Sequence, residues 1–240
     1  MEIDANIFVS FLKKVTLDGK ISTAKFISQE DGLFTRLNLT NHIITEATLN
    51  KIAFHKYTAT KDIKPQDMDI RDTLKFKNML NSFKDKIKVQ IENPFIVLSS
   101  VNKTAHFKLA SEVGNYYNEE AHTEWDNGFD VPMEFIKDVI TNANNVDSES
   151  ILLEVKDNNL MLLTQGQEDK IIQEMKVTYK DCLYSMQKEY FTQIFNIIDS
   201  ENVNLCFQNK DLADKGAPIR ILEKTKAHTL KIVVAPFSKD

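Results

Sequence analysis

Histidines, cysteines, paired acids and lysines are the residues of this 240-residue chain whose types could do chemistry. The histidines are His42, His55, His106, His122 and His228. None lies three to five positions from another, so no helix presents a paired metal site. Cys182 and Cys206 follow no metal or redox spacing. The six glycines build no phosphate-cradling loop, and no Gly-x-Ser-x-Gly or Cys-His nucleophile arrangement is present. Glu30-Asp31 and Glu119-Glu120 fall in polar stretches, where solvated loop charge explains them. The expectation is a protein without a catalytic centre, a metal or a cofactor.

Lysines are the remaining signal. Lys13, Lys14, Lys77 and Lys84 lie on predicted helices whose other faces are apolar, with Lys20, Lys75, Lys86 and Lys88 nearby. Ammonium groups gathered on helices suit phosphate contacts that carry no base information. Exposed lysine also serves plain solubility. The helix after Pro132 sets Glu134 and Asp138 against Lys137, and the helix near Phe191 has only Lys188 against Glu189, so the second half lacks this basicity.

The elements that must position these lysines come from periodicity. Phe8, Phe11, Leu12 and Val15 recur at helical spacing after Asp4, a candidate cap. Strands are expected over 20–29, 33–40 and 44–57, with turns at Asp18-Gly19 and Glu30-Asp31-Gly32. A second helix from Asp72 to Phe83 buries Phe76, Met79, Leu80 and Phe83. Strands follow at Ile87–Ile91, Phe95–Ser99 and Thr104–Ala110.

The plan then repeats. Pro132 suits a helix start, and Ile136, Val139, Ile140 and Ala143 reproduce the first helical face shifted by 128 positions. Ile151–Val155, Leu160–Thr164 and Ile171–Tyr179 read as strands. Phe191, Ile194, Phe195 and Ile198 repeat the second face shifted by 115, and Val203, Leu205 and Phe207 match Ile87, Val89 and Ile91. Four matches in order indicate a duplication of roughly 120 residues. Each copy is an α+β domain with two helices packed on antiparallel sheet. The predicted domains are 1–110 and 125–240, joined by a connector at 111–124. That connector is acidic and carries adjacent tyrosines, Tyr116 and Tyr117.

Composition bounds the setting. Residues 1–110 hold 17 Lys/Arg against 12 Asp/Glu, and residues 111–240 hold 13 against 23, within a net charge of −5. Such asymmetry suits either a basic binding surface on one side or halves that attract each other between copies. No stretch reaches the roughly 20 apolar residues that span a bilayer, the first residues lack a basic signal-peptide start, and the cysteine usage suits a reducing compartment. The expected location is the cytoplasm, or the nucleus of a eukaryotic source or host.

Several stretches resemble the sliding DNA clamps of the proliferating cell nuclear antigen type, including archaeal and viral relatives. Phe11-Leu12-Lys13-Lys14-Val15 is similar to that family's first helix. Ser28-Gln29-Glu30-Asp31-Gly32-Leu33, with His42-Ile43 beyond, is similar to its early strand, turn and strand. Pro218-Ile219-Arg220-Ile221 and Leu230-Lys231-Ile232-Val233-Val234-Ala235-Pro236 resemble its final hairpin and closing Ala-Pro. Tyr116-Tyr117 depart from it, standing where the family usually has aliphatic residues.

The resemblance implies the DNA clamp fold and a non-enzymatic role. Identical chains, usually three, would join head to tail in a ring around duplex DNA and tether a DNA polymerase and other clamp-binding peptides. A separate clamp loader would open the ring. Duplex DNA would then meet Lys13, Lys14, Lys20, Lys77, Lys84 and Lys137. Partner peptides would enter a pocket built from His42, Tyr116, Tyr117, Pro218, Val233, Ala235 and Pro236. The subunit contact would pair the edge strand around Phe107 and Lys108 with the strand carrying Glu174, since an exposed edge must be paired or protected. A duplicated protein-binding module that does not encircle DNA, and an enzyme on an α+β scaffold, are the alternatives.

Overall fold

A computed structural model describes residues 1–39, 42–58, 67–111, 116, 125–208 and 218–235. The chain divides into two compact units. Unit 1 holds Met1–Glu119 and Lys224–Lys231, and unit 2 holds Glu120–Glu223 and Ile232–Asp240.

Unit 1 begins with β1 (Glu2–Asp4) and α1 (Ala5–Val15). Asp4 occupies the N-cap position, yet its side chain makes no cap bond. Its carboxylate meets His55 Nε2 at 3.0 Å instead. α2 (Thr73–Asn81) is capped by Asp72, whose side chain accepts the Lys75 amide at 2.8 Å. The strands are β2 (Ala24–Ser28), β3 (Gly32–Leu39), β4 (Ile43–Asn50), β5 (Phe54–Lys56), β6 (Met68–Ile70), β7 (Lys86–Glu92), β8 (Phe95–Ser100) and β9 (Lys103–Lys108). A 3-10 turn at Lys51–Ala53 breaks the long extended run predicted over 44–57. One sheet runs β5-β1-β7-β8-β9, and β4-β3-β2-β6 are successive neighbours in another. The register pairs are antiparallel throughout.

The helices are fixed by an aromatic chain. Phe8 meets Phe26 and Phe76 edge-on at 6.2 and 5.9 Å, and Phe76 meets Phe107 at 5.0 Å. Each such side chain stabilises by about 1.5–3 kcal/mol through burial alone. Residues 224–231 join this unit through direct bonds. The Asn50 amide donates to Ala227 O at 2.8 Å, and Lys231 Nζ reaches Glu46 Oε1 at 3.3 Å.

Unit 2 opens with β10 (Phe129–Pro132) and α3 (Met133–Asn145). Pro132 is the N-cap residue, one place earlier than the first helical position assigned from sequence. β11 (Ser150–Lys156), β12 (Asn159–Gln165), β13 (Lys170–Lys176) and β14 (Cys182–Gln187) form a sheet in the order β13-β12-β11-β14. β13 stops at Lys176, short of the predicted Tyr179. α4 (Lys188–Phe195) precedes β15 (Asn202–Phe207), β16 (Ile219–Lys224) and β17 (His228–Val234), the last divided between the units at Lys231. Ile136, Val139, Ala143, Phe191, Ile194 and Phe195 are buried, so both predicted helical faces point inward. Among the described residues no helix is long and apolar enough to cross a membrane.

Candidate nucleic-acid, partner and subunit surfaces

The lysines of unit 1 occupy different environments. Lys13 is half-exposed on α1 and Lys20 is exposed beyond it. Lys84 is exposed after α2. Lys77 is tied to Asp18 at 2.9 Å, with 19% of its side chain exposed, which links α2 to the turn after α1. Lys14 overturns its expectation, being only 1% exposed. It stands one step beyond Phe11 on the helical wheel, about 60° round, and is drawn into the packed side of α1. An ammonium there cannot meet a phosphate. In unit 2, Lys137 is exposed on α3 beside the exposed Glu134 and Asp138.

Lys103 is read from the sequence, with Lys108, only as the basic charge of an edge strand. Its Nζ donates to Ser82 O at 3.1 Å and lies 4.8 Å from the centre of the Phe83 ring, closing the C-terminal end of α2. A cation at a helix C-terminus offsets the negative end of the dipole. The strand periodicity of its own segment gives no hint of this.

The partner-site residues fall in both units. In unit 1, His42 is exposed and its amide donates to Leu39 O at 3.2 Å, at the end of β3. Tyr116 bridges to Leu37 of the same strand. The structure therefore brings His42 and Tyr116 to one end of β3. Burial raises the Tyr116 phenol above the ordinary tyrosine range, partly offset by Arg36 and Lys25. In unit 2, Pro218 immediately precedes β16, and Val233 and Ala235 are half-buried at the end of β17. The buried Tyr184 hydroxyl lies 3.0 Å from Val234 O and 2.8 Å from Ala235 O, so its proton is shared between them. Tyr117 and Pro236 lie outside the described residues.

Two further groups anchor Ala110 and Tyr116 on one side and Trp125 and Asp126 on the other, and sequence reasoning missed both. In unit 1 the Lys25 ammonium lies 5.5 Å from the Tyr116 ring centre, and the Ala110 amide donates to Asp69 O at 2.8 Å. In unit 2 Arg220 lies over Trp125 at 5.5 Å and donates to Asp126 O at 3.0 Å. Lys180 pairs with the Asp126 carboxylate. The signal for the second group was available: the chain's one tryptophan stands directly after an acidic stretch.

β9 and β13 each end a sheet. On β9, the Leu109 amide donates to Pro94 O, opposite in the β8 register. Antiparallel ladders alternate, so 107, 105 and 103 bond inward while Thr104, His106 and Lys108 turn their backbone groups outward. On β13, the Val177 amide donates to Asn158 O, so Lys170, Ile172, Glu174 and Lys176 face outward. The same even-numbered side chains are exposed on both strands. Phe107 itself is 2% exposed and belongs to the core, and its backbone bonds inward to β8, so its part in the proposed edge contact is to hold the strand rather than to offer a donor. Acid lies beside β13 more than along it. Lys170 and Lys176 flank Glu174, while Asp147, Glu149, Glu168 and Asp169 line a polar cleft of about 750 Å³ at the β12–β13 turn. Among the described residues no group of three His, Cys, Asp or Glu could hold a metal.

No family model matches the chain, and no curated protein matches it by sequence. Solved structures do. PCNA from A. fulgidus, solved with the C-terminal region of FEN-1, is 14% identical with a TM-score of 0.80, covering 100% of this chain and 98% of that one. PCNA from Thermococcus kodakaraensis is 17% identical with a TM-score of 0.77, covering 98% and 99%. A chain of the PCNA2–PCNA3 complex from Sulfolobus tokodaii is 14% identical at 0.75, covering 98% and 99%. The fold of this chain is the PCNA clamp fold along its whole length.

Proposed function

We propose that this chain is a sliding clamp, a processivity factor that encircles duplex DNA and tethers a DNA polymerase. The observation that carries the reading is the pair of open sheet edges, β9 and β13, at the ends of separate sheets in a chain of clamp fold. Their outward backbone groups need partners. A head-to-tail contact between identical chains supplies them and closes when the rotation per chain divides the circle. A homotrimer of two-domain chains, with domains 1–110 and 125–240 and a connector at 111–124, is the proposed ring.

Lys13, Lys20, Lys77, Lys84 and Lys137 are the proposed phosphate contacts, weak and indifferent to sequence. The solved A. fulgidus clamp carries a FEN-1 tail, and a comparable peptide is proposed to meet His42, Tyr116, Tyr117, Pro218, Val233, Ala235 and Pro236. Tethering raises a polymerase's local concentration without any chemistry by the clamp. A loader that opens the ring is part of the same proposal.

The test is mass and topology together. The purified chain should show about three times its 27.6 kDa mass in solution. Once loaded, it should stay on closed circular DNA and slide off when that DNA is cut. A monomer at every concentration, or equal loss from circular and cut DNA, overturns the reading. The near-neutral helices of unit 2 favour a second reading, a duplicated protein-binding module without DNA, which predicts peptide binding with no retention on circles.

A further inference from the structure

β2 pairs with β3 only at Ile27↔Phe34 and Ser28↔Leu33, while Ala24, Lys25 and Phe26 pair with β6. The β3 edge near Leu37 is met by Tyr116 instead. One backbone bridge is a weak hold on a residue in the acidic connector 111–124. Something else must fix the ring.

We propose that Lys25 is a positioning residue that holds Tyr116 against β3, so that the partner-binding end of unit 1 is set before a peptide arrives. The inference rests on the partner-peptide reading given above. Lys25 Nζ lies 2.7 Å from Asp67 Oδ2, 3.9 Å from Asp69 Oδ1 and 5.5 Å from the centre of the Tyr116 ring. Two carboxylates hold the ammonium in place, so its contact with the ring freezes no additional side chain. The lysine side chain is 26% exposed, which weakens water's competition for the cation.

Asp69 completes the arrangement. Its Oδ1 is buried without a hydrogen-bond partner among the described residues. Burial raises the pKa of its carboxyl, and Lys25 opposes that rise. The Asp69 main-chain oxygen receives the Ala110 amide, so β6 ties down the chain where it leaves β9. Lys25 thus serves β6 and Tyr116 with one charge. A neutral residue in its place would release the ring and leave Asp69 without its counter-ion.

The test uses the full chain and two readouts. Hydrogen exchange at the Tyr116 amide reports positioning. Fluorescence anisotropy of the labelled C-terminal tail of the replicative polymerase from the same genome reports binding. Lys25→Met should speed Tyr116 exchange and weaken the tail by about tenfold, the scale of a partly desolvated cation–π contact. Lys25→Arg should restore both. Because Lys25→Met also strands Asp69, the double variant Lys25→Met/Asp69→Asn separates stability from positioning. It should recover thermal stability but not Tyr116 protection. Unchanged exchange in Lys25→Met, or protection regained in the double variant, overturns the proposal. If wild type ignores the tail while Lys25→Met still loses protection, the positioning stands and the partner reading fails.

Discussion

Phe107 meets Phe76 edge-on, with ring centres 5.0 Å apart, so the strand offered as a subunit edge is also a wall of the unit 1 core. The two roles separate by residue parity. Odd positions of β9 serve the core and the β8 ladder, and even positions present outward backbone. Proline at His106 should therefore remove an outward donor and little else, yielding monomers by light scattering with the melting temperature of each unit retained. Phe107→Ala should instead destabilise by about 3–5 kcal/mol, seen in urea unfolding. If the His106→Pro chain keeps its oligomeric mass, β9 is not the contact.

The DNA prediction changes with the burial of Lys14. Replacing Lys13, Lys20 and Lys84 with glutamine should lower affinity for duplex DNA. The log–log salt slope should become shallower by about 0.9 for each phosphate that is no longer neutralised. Lys14→Gln should leave the slope alone and lower the melting temperature. Asp18→Asn frees Lys77 from its 2.9 Å partner and should strengthen binding modestly. An unchanged slope in the triple variant rules these lysines out.

What was legible followed from periodicity. Phe8, Phe11, Leu12 and Val15 define a face because helical spacing repeats over several turns, and all four are buried. β1, of three residues, and β10, of four, are too short to show alternation, and β14 was hidden by a polar and apolar mixture, Cys-Leu-Tyr-Ser-Met-Gln. Lys14 and Lys103 show the other limit. A charged residue beside an apolar stripe reads as solvated, and only packing reveals that one is buried and the other caps a distant helix. The anchors Lys25–Tyr116 and Arg220–Trp125 join residues about ninety positions apart, beyond any local pattern.

Alkaline pH should expose the buried phenols. Burial raises the Tyr184 pKa well above the ordinary tyrosine range, and burial with the Cys206 contact does the same for Tyr179. A raised folded-state pKa means that the native state keeps its proton where the unfolded chain loses it. The associated stability is whole below the unfolded value near 10 and is lost as pH rises from there toward the folded values. For the buried Tyr184 the loss is up to about 1.4 kcal/mol per pH unit, and for the more exposed Tyr179 it is smaller because solvent screens it. Urea midpoints from pH 8 to 11 should fall less steeply in Tyr184→Phe than in wild type. Parallel curves would show that this hydroxyl ionises alike in both states.

The C-terminal strand gives the last prediction. Tyr184 is buried, and its hydroxyl is shared between Val234 O and Ala235 O, beside the half-buried Val233 and Ala235 of the proposed peptide site. Removing that hydroxyl leaves two carbonyls competing for water from a buried position, a cost of about 1–3 kcal/mol. The loss falls on the end of β17. Tyr184→Phe should therefore raise amide exchange at Val234 and Ala235 and weaken the polymerase tail without changing oligomeric mass, because β9 and β13 are untouched. Tyr116→Ser should weaken the same tail from the unit 1 side. If Tyr184→Phe speeds exchange at Val234 and the tail binds as before, the end of β17 is structural and the peptide contacts lie elsewhere.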